Sequence, residues 1–206
     1  MPANAELTPP QGWILTDGVR IPPPPPAERG LGFRMIGGLA RFMGRDQVPD
    51  IFTVLQIHGR LFWAWLFFAS RLMPYGKLSA RTRELIILRT GWNCRCRYEW
   101  GQHVEVGLRS GVTDEDILNV SCGPEAFADA PDRAAMFACD ELCTQQHLSD
   151  ATWELLKENY STKLAIEIMI LTGHYVMLAG FLNSTGIRLE ASIEGELAAF
   201  NQRVAH

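Results

Sequence analysis

Four residues with the chemistry for proton transfer lie within one short stretch of the chain, namely Glu84, Cys96, Glu99 and His103. The segments on either side of residues 91–96 have helical patterns, so a tight turn there would let two helices face each other. Glu99 and His103 are four residues apart and therefore share one face of the second helix. We expect two carboxylates, a thiol and an imidazole to converge on one pocket, which is an arrangement for acid–base chemistry.

Several neighbouring residues are candidates for binding a substrate. Tyr98 is positioned either to orient a substrate oxygen or simply to pack. Arg95 and Arg97, at the mouth of the turn, either attract an anionic substrate such as a carboxylate or are solvated surface residues. His174, in a later apolar helix, is a candidate for the wall of the same pocket.

Glu84 is the strongest single candidate among these residues. It is followed by four apolar residues, so it is expected to point into a restricted space with a raised pKa. The alternative is a surface salt bridge with Arg81 or Arg89.

Composition and motifs argue against metal and nucleic-acid chemistry. Glu99 and His103 are one possible pair of metal ligands, but neither an HExxH motif nor a Cys/His set completes a coordination sphere. The sequence therefore predicts no metal and no cofactor. A net charge of -4, a pI near 5.7 and the lack of a basic block predict that nucleic acid is not the partner.

Cysteine usage and hydropathy predict a cytoplasmic protein. The five cysteines are odd in number and no secretion signal precedes them, so we expect reduced thiols and no disulfide framework. Residues 61–69 are too few to cross a bilayer. Residues 164–182 are enough, but they include Glu167 and His174, so a buried helix is favoured and no membrane partner is expected.

The chain is predicted to be all-α, because helical spacing runs through it and strand alternation is nearly absent. Residues 1–30 form an extended arm, since Ile21 is followed by five prolines that favour polyproline II. Residues 31–190 form one helical domain and residues 191–206 a C-terminal tail. The predicted helices are 33–43, 49–58, 61–72, 81–90, 96–110, one that begins at Thr113, 131–144, 151–159 and 162–184.

An aromatic cluster marks the third of these helices. Its members, Phe62, Trp63, Trp65, Phe67 and Phe68, cover all sides of the helix. A helix that is apolar all round is buried, so the cluster is predicted to lie in the core or in a subunit interface. A hydrophobic wall for a substrate is the alternative.

The segment 78–117 resembles the carboxymuconolactone decarboxylase family, which includes alkylhydroperoxidase-D-like proteins. The resemblance rests on L-S-x-R-x-R-E-L-x-x-L from Leu78, on Y-E-W-G-Q-H from Tyr98 and on G-V-T-D-E-D-I from Gly111. It extends more weakly over roughly residues 31–190. It implies an all-helical domain that assembles as a homo-oligomer, a trimer or a hexamer, with sites near subunit contacts.

Redox members of that family carry a Glu, a Cys-x-x-Cys pair and a His four residues beyond it. By resemblance these positions fall on Glu84, Cys96, Glu99 and His103, so a carboxylate replaces the peroxide-attacking thiol. A carboxylate cannot form a disulfide. Cys94 is the alternative partner for Cys96, although a Cys-x-Cys ring is strained; Arg95, Arg97 and the helix N-terminus would favour a thiolate at Cys96.

Three functions therefore remain open from the sequence. The leading one is an acid–base enzyme, a decarboxylase, isomerase or lyase, that acts on a small carboxylated or lactone-like molecule with His103 as proton shuttle and Glu84 as its base or orienting carboxylate. The second is a thiol-dependent hydroperoxide reductase that uses Cys94 and Cys96. The third is a non-catalytic oligomeric ligand-binding protein.

Overall fold

The structure is a computed structural model that describes residues 7–30, Phe33 and residues 48–205. Within these ranges it is all-helical and contains no strand, which confirms the predicted fold class. The predicted helix 33–43 lies, except for Phe33, outside the described residues. The described α-helices are α1 Asp50–Leu55, α2 Gly59–Ser70, α3 Ala80–Asn93, α4 Arg97–Arg109, α5 Asp114–Cys122, α6 Ala130–Thr144, α7 Asp150–Asn159, α8 Thr162–Thr185 and α9 Ala191–Val204.

Local capping residues explain where several helices begin and end. The Ser79 hydroxyl accepts a hydrogen bond from the Thr82 amide at 3.0 Å and so starts α3. Thr113 and Asp116 form a capping box at the start of α5. Gly186 ends α8 with φ of 70°, a left-handed conformation that glycine adopts without a steric penalty. These predicted boundaries are confirmed.

Helix α3 is the centre of the fold, because α4, α6 and α8 pack around it. Its apolar residues Leu85, Ile86, Ile87 and Leu88 are fully buried. Any polar side chain on this helix that points inward must therefore find a partner inside the protein. This requirement applies above all to Glu84.

Two arginines of α3 anchor the surrounding helices. Arg81 pairs with Asp116 at 2.6 Å and with Asp132 at 2.7 Å. Arg89 binds both carboxylate oxygens of Asp140, at 2.6 and 2.7 Å. Neither arginine pairs with Glu84, so the surface salt bridge considered for that residue does not form.

The N-terminal arm lies against its own domain. The Arg95 side chain donates to the carbonyl of Gly12 at 2.6 Å, and the Ile14 amide donates to the carbonyl of Arg95 at 3.0 Å. The ring of Trp13 lies 5.7 Å from that of Trp92 and 5.9 Å from that of Trp100. The arm therefore covers the turn between α3 and α4.

The prediction that residues 191–206 form a tail is wrong. Residues 191–204 form α9, which packs against α4 and α5. Leu197 and Phe200 are three residues apart, share one face of the helix and are completely enclosed, with exposed fractions of 1% and 0%. The C-terminal helix is therefore part of the helical domain.

The aromatic cluster of α2 is only partly buried in the single chain. Phe62 is enclosed, but Trp63, Phe67 and Phe68 are exposed, Phe67 by 66%. Helix α8 likewise exposes Ile166, Ile170 and Met177. The prediction that the cluster is buried in the core is therefore wrong for a single chain. Its role in a subunit interface stays a prediction.

Two described helical segments are long and apolar enough to cross a membrane by length and composition, Asp50–Ser70 and Thr162–Thr185. Only 22% and 44% of their most apolar windows are buried inside the protein. Core helices of soluble proteins meet the same criterion, so this is weak support for a membrane span. The expectation of no membrane partner stays a prediction.

Truncating Phe200 tests whether α9 is part of the core. We expect Phe200→Ala to lower the free energy of unfolding by roughly 3–5 kcal/mol, because it removes buried apolar surface and leaves a cavity. The measurement is urea denaturation followed by far-UV circular dichroism. The control is Gln202→Ala at an exposed position of the same helix, with an expected change within about 0.5 kcal/mol. Equal, small changes in both variants would contradict the packing described for α9.

Candidate acid–base site

The centre of the candidate site is a buried pair of Glu84 on α3 and His103 on α4. Oxygen Oε2 of Glu84 lies 2.7 Å from Nδ1 of His103, and the Glu84 side chain has no exposed surface. A carboxylate that accepts a hydrogen bond from Nδ1 fixes the orientation and tautomer of an imidazole. Two of the residues selected from the sequence therefore meet across the helix pair.

The second partner of Glu84 is its sequence neighbour Arg83, whose Nε donates to Oε1 at 3.0 Å. Burial by itself raises the pKa of Glu84, but the charges and hydrogen bonds of His103 and Arg83 outweigh it, so the pKa of Glu84 is lowered. The expectation of a raised pKa at Glu84 is therefore wrong. The apolar run that follows Glu84 predicted burial correctly and gave no sign of the two partners.

Glu99 lies in an opposite environment. It is 3% exposed, and neither of its carboxyl oxygens has a hydrogen-bond partner among the described residues. Burial, and after it the interaction with Cys94, raises the pKa of Glu99 well above its usual range. Gly91 brings α3 close to this side chain, since a Cβ at that position would lie 3.4 Å from the Cβ of Glu99. Burial therefore favours the neutral, protonated form of Glu99.

Tyr175 on α8 connects the pair to the surrounding aromatic residues. Its ring meets the ring of His103 edge to face at 5.1 Å. Burial raises the pKa of Tyr175, and the nearby Glu84 and Glu99 raise it further. Tyr175 thus lies close to both carboxyl groups and stays protonated. Tyr175 is not among the candidates selected from the sequence.

His174 lies on the far side of Tyr175, at a ring separation of 5.3 Å. It stacks on Trp65 at 6.0 Å and contacts Phe68 edge to face at 5.4 Å. Its Nδ1 is buried and has no hydrogen-bond partner among the described residues, and burial lowers the pKa of His174 to about 4. His174 is therefore a neutral imidazole that adjoins the site through Tyr175.

Cys96 is close to these groups in sequence, but its chemistry differs from that expected. It is fully buried at the start of α4, and burial followed by the charge of Glu99 raises its pKa well above the usual range. The expected thiolate at Cys96 is therefore wrong. The physical reason is that Arg95 and Arg97 point to other partners, while the helix N-terminus does not overcome desolvation.

The other residues considered for substrate binding make structural contacts. Arg95 holds the N-terminal arm, and Arg97 binds Glu194 at 2.6 and 2.8 Å. Tyr98 donates to Glu190 at 2.7 Å and accepts from the Ile51 amide at 3.3 Å. Arg95 and Arg97 thus each have a partner within the chain, and their role in binding a substrate stays a prediction.

Two sets of contacts, one at Glu84 and one at Tyr98, were not predicted from the sequence. Arg83 was missed because adjacent residues on a helix usually point in different directions, and only the side-chain conformation brings its Nε to Glu84. Glu190 was missed because its partners come from distant segments: it accepts from Tyr98, Gln102 and the Asp50 amide. No sequence signal marks either contact.

A surface groove lies elsewhere, between the N-terminal arm and the loop after α8. Its lining does not include Glu84, Glu99 or His103. It therefore contains neither of the two carboxyl groups whose pKa values are displaced in opposite directions. Among the described residues, no three His, Cys, Asp or Glu side chains are grouped closely enough to hold a metal ion. The groove lining is Ile14, Leu15, Thr16, Arg97, Tyr98, Leu182, Asn183, Gly186, Ile187, Arg188 and Leu189.

The fold belongs to the alkylhydroperoxidase-D-like class. An uncharacterized peroxidase-related protein from Ralstonia eutropha JMP134, described as an alkylhydroperoxidase AhpD core, superposes with a TM-score of 0.75 at 21% identity over 86% of this chain and 96% of that one. The debrominase Bmp8 superposes with a TM-score of 0.75 at 15% identity over 90% of this chain and 100% of that one. At these identities the likeness concerns the fold.

Residues 59–142 match the model of the carboxymuconolactone decarboxylase family. The resemblance inferred from the sequence is thereby confirmed. The matched segment contains α2 to α5 and most of α6, and thus the Glu84–His103 pair.

The curated relatives are longer than this chain. Sestrin-2 of Bos taurus is 25% identical over 163 residues, which cover 78% of this chain and 34% of that protein. Sestrin-2 of Homo sapiens is 24% identical over the same shares. The chain therefore spans about a third of the length of the curated relatives it matches.

The opposite environments of the two carboxyl groups predict opposite pH effects on stability. The ordinary pKa of both is 4.5. The raised pKa of Glu99 makes stability fall as pH rises above that value, because the unfolded chain then binds fewer protons than the folded one. Glu99→Gln should therefore gain stability relative to wild type as pH rises above 4.5, by at most about 1.4 kcal/mol per pH unit.

Glu84→Gln is the matched variant for that measurement. The lowered pKa of Glu84 contributes stability that is present above pH 4.5 and is lost as pH falls through the folded-state pKa. The variant should be less stable than wild type near neutral pH, with a deficit that shrinks in acid. Urea denaturation across the pH series tests both, and parallel pH curves for the two variants would contradict the assignment.

Proposed function

We propose that this protein is an acid–base enzyme that acts on a small carboxylated or lactone-like organic molecule by decarboxylase, isomerase or lyase-type chemistry. The observation that carries the proposal is the buried Glu84–His103 hydrogen bond of 2.7 Å. It joins a carboxylate and an imidazole at the centre of the fold. The protonated Glu99 nearby supplies the opposite protonation state.

His103 is the proposed proton shuttle. With Nδ1–H donated to Glu84, Nε2 is the ring nitrogen that can take a proton from a bound substrate. The imidazolium that forms is stabilised by the ionised Glu84. Glu84 in this scheme orients and stabilises the imidazole, and it stays ionised because Arg83 also binds it.

Glu99 is the proposed acid. A neutral carboxyl group in a dry environment can donate a hydrogen bond or a proton to a developing oxyanion, such as the enolate that follows removal of a proton next to a carbonyl. Carboxyl groups whose pKa values are displaced in opposite directions are typical of acid–base sites. Each such proton transfer accelerates a reaction by roughly 10²- to 10⁴-fold.

A carboxylated substrate fits the remaining charge of the site. Arg83 uses Nε for Glu84, so its terminal nitrogens are the groups we propose for pairing with a substrate carboxylate. Arg83 takes the role that the sequence suggested for Arg95 and Arg97, because Arg95 binds the N-terminal arm and Arg97 binds Glu194.

The two rival functions have less support. A hydroperoxide reductase that uses Cys96 would need a reactive thiolate, whereas burial raises the pKa of Cys96. A non-catalytic ligand-binding protein would not require one carboxyl group to be ionised and its neighbour protonated. Ligand-induced thermal stabilisation without turnover would favour that second rival.

The test is turnover by purified wild type and variants on a panel of carboxylated lactones and unsaturated carboxylic acids. His103→Asn and Glu84→Gln should each reduce kcat by roughly 10²- to 10⁴-fold, because the shuttle or its orienting group is lost. Circular dichroism checks that both variants are folded. Cys96→Ser should retain activity. Turnover that survives in both acid–base variants, or that disappears with Cys96→Ser, would overturn the proposal.

A homo-oligomer, either a trimer or a hexamer, is the proposed assembly. The exposed apolar residues of α2 and α8, which include Phe67, Phe68, Ile166, Ile170 and Met177, are more apolar than a solvated surface requires. Burying them between copies of the chain would remove this surface from water. The aromatic part of this face adjoins His174, so the interface would lie beside the site.

Light scattering coupled to gel filtration tests the assembly. Wild type should elute with the mass of three or six chains, and Phe67→Asp should shift it toward the mass of one, because a charge would be buried at the interface. The control is Trp153→Asp, which changes an apolar residue on α7 outside this face. A monomeric wild type, or an equal effect of both variants, would contradict the proposed interface.

A further inference from the structure

The turn between α3 and α4 has an arginine at a position where glycine is usual. The Cys96 amide donates to the carbonyl of Gly91 at 2.8 Å, and the Arg95 amide donates to the carbonyl of Trp92 at 3.0 Å. These two bonds close a helix end through a residue in the left-handed conformation, and Arg95 has φ of 53°. Glycine adopts that conformation freely, whereas a residue with a Cβ is strained in it. The turn alone therefore does not explain the arginine.

The Arg95 side chain binds the N-terminal arm. Its Nε donates to the carbonyl of Gly12 at 2.6 Å, and a terminal nitrogen donates to the carbonyl of Gln11 at 2.9 Å. The Arg95 carbonyl accepts from the Ile14 amide at 3.0 Å. The strained residue thus holds the arm on both sides of Trp13. A glycine at this position would relieve the turn but would lose the two side-chain bonds.

A second attachment of the arm lies at the C-terminal end of α8. The Arg20 amide donates to the carbonyl of Thr185 at 2.8 Å, and the Arg188 side chain donates to the carbonyl of Thr16 at 3.1 Å. Gly186 permits this close approach, since a Cβ there would collide with Thr16. The arm is therefore attached through its backbone at two places, the α3–α4 turn and the end of α8.

Between residues 11 and 21 the arm buries little apolar surface. Trp13 packs against the core, whereas Ile14, Leu15, Val19 and Ile21 are 39% to 64% exposed. Nε1 of Trp13 is buried without a hydrogen-bond partner among the described residues. Such a group makes the bound position of the arm less favourable, because release would return this N–H to water. Segments with few buried apolar contacts also open more easily than a core does.

The arm covers the region around Glu99. The Trp13 ring contacts those of Trp92 and Trp100, which lie on α3 and α4 on the two sides of the turn. Trp100 directly follows Glu99, and Cys96, which directly precedes α4, has no exposed surface. Withdrawal of Trp13 would therefore uncover this end of the helix pair.

We propose that the N-terminal arm is a detachable clasp, fastened by Arg95 and Trp13, that closes the end of the α3–α4 pair at Cys96 and Glu99. Bound, the clasp maintains the dry surroundings of these two residues. Released, it admits water and small solutes to them while the helices stay folded. The strain at Arg95 and the unpartnered N–H of Trp13 both favour release. The clasp goes beyond the proposed acid–base function and does not depend on it, since burial alone defines what it covers.

Alkylation of Cys96 tests the clasp, because this thiol lies in the covered region. The full chain is treated with iodoacetamide under native conditions, and labelling is followed over time by mass spectrometry. The chymotryptic peptide 93–98 contains Cys94 and Cys96, and its fragmentation distinguishes their labels. Cys139, which is fully buried on α6, is the internal reporter of global unfolding.

Trp13→Ala and Arg95→Gly should each raise the labelling rate of Cys96 by about tenfold or more, because that rate follows the population of the open form. Cys139 should stay protected in both variants. Leu15→Ala is the matched control, since it shortens an exposed side chain of the same arm, and it should leave both rates unchanged. Arg95→Gly relieves the strained turn, so it keeps the test decisive if Trp13→Ala fails to fold.

Three results would overturn the clasp. In the first, Cys96 is labelled no faster in Trp13→Ala and Arg95→Gly than in wild type. In the second, Cys139 is labelled in parallel with Cys96, which would mean that the variants open the whole fold. In the third, Leu15→Ala has the same effect as Trp13→Ala, so that the named contacts do not hold the arm. None of these readouts depends on turnover, so they leave the acid–base proposal to its own test.

Discussion

The fold depends on accommodating an ionised carboxylate inside its most buried helix. The apolar residues at the centre of helix α3 are fully buried. Glu84 directly precedes them and has no exposed surface either. An uncompensated charge in such a place would cost several kcal/mol, so a partner is required. His103 and Arg83 supply it, and the need for His103 fixes the approach of α4 to α3. Packing and site chemistry thus follow from one constraint.

The same helix pair contains the opposite case. Glu99 lacks hydrogen-bond partners among the described residues and its pKa is raised, whereas Glu84 has two partners and its pKa is lowered. The difference arises from the partners, since both side chains are almost fully buried. A buried carboxyl group without a hydrogen-bond partner lowers the stability of the fold, by roughly 1–3 kcal/mol. Packing therefore does not account for Glu99, and the proposed role as a proton donor is one reason to keep a carboxyl group there.

Glu99 lies within the segment that matches the carboxymuconolactone decarboxylase family, and it differs from the residue that the family's redox members have at this position. In the redox pattern that the sequence resembles, this position is a thiol that pairs with the residue equivalent to Cys96. Replacing it by a carboxylate leaves Cys96 buried and protonated.

The sequence by itself determined the helical class, most helix boundaries and the candidates Glu84, Glu99 and His103. These depend on local signals: helical spacing, the capping residues Ser79 and Thr113, and a four-residue separation on one helix face. Burial of Glu84 was also predictable, because apolar residues follow it. The direction of its pKa was not, since that depends on Arg83 and His103 being close in space.

The tertiary structure decided everything that required distant segments to meet. It directed Arg95 to the N-terminal arm and Arg97 to Glu194, and it placed Phe200 in the core. The sequence carries residue types and local periodicity, but whether an arginine is free or a carboxyl group is ionised depends on partners from other helices. Those partners are selected only when α3 is enclosed by its neighbours.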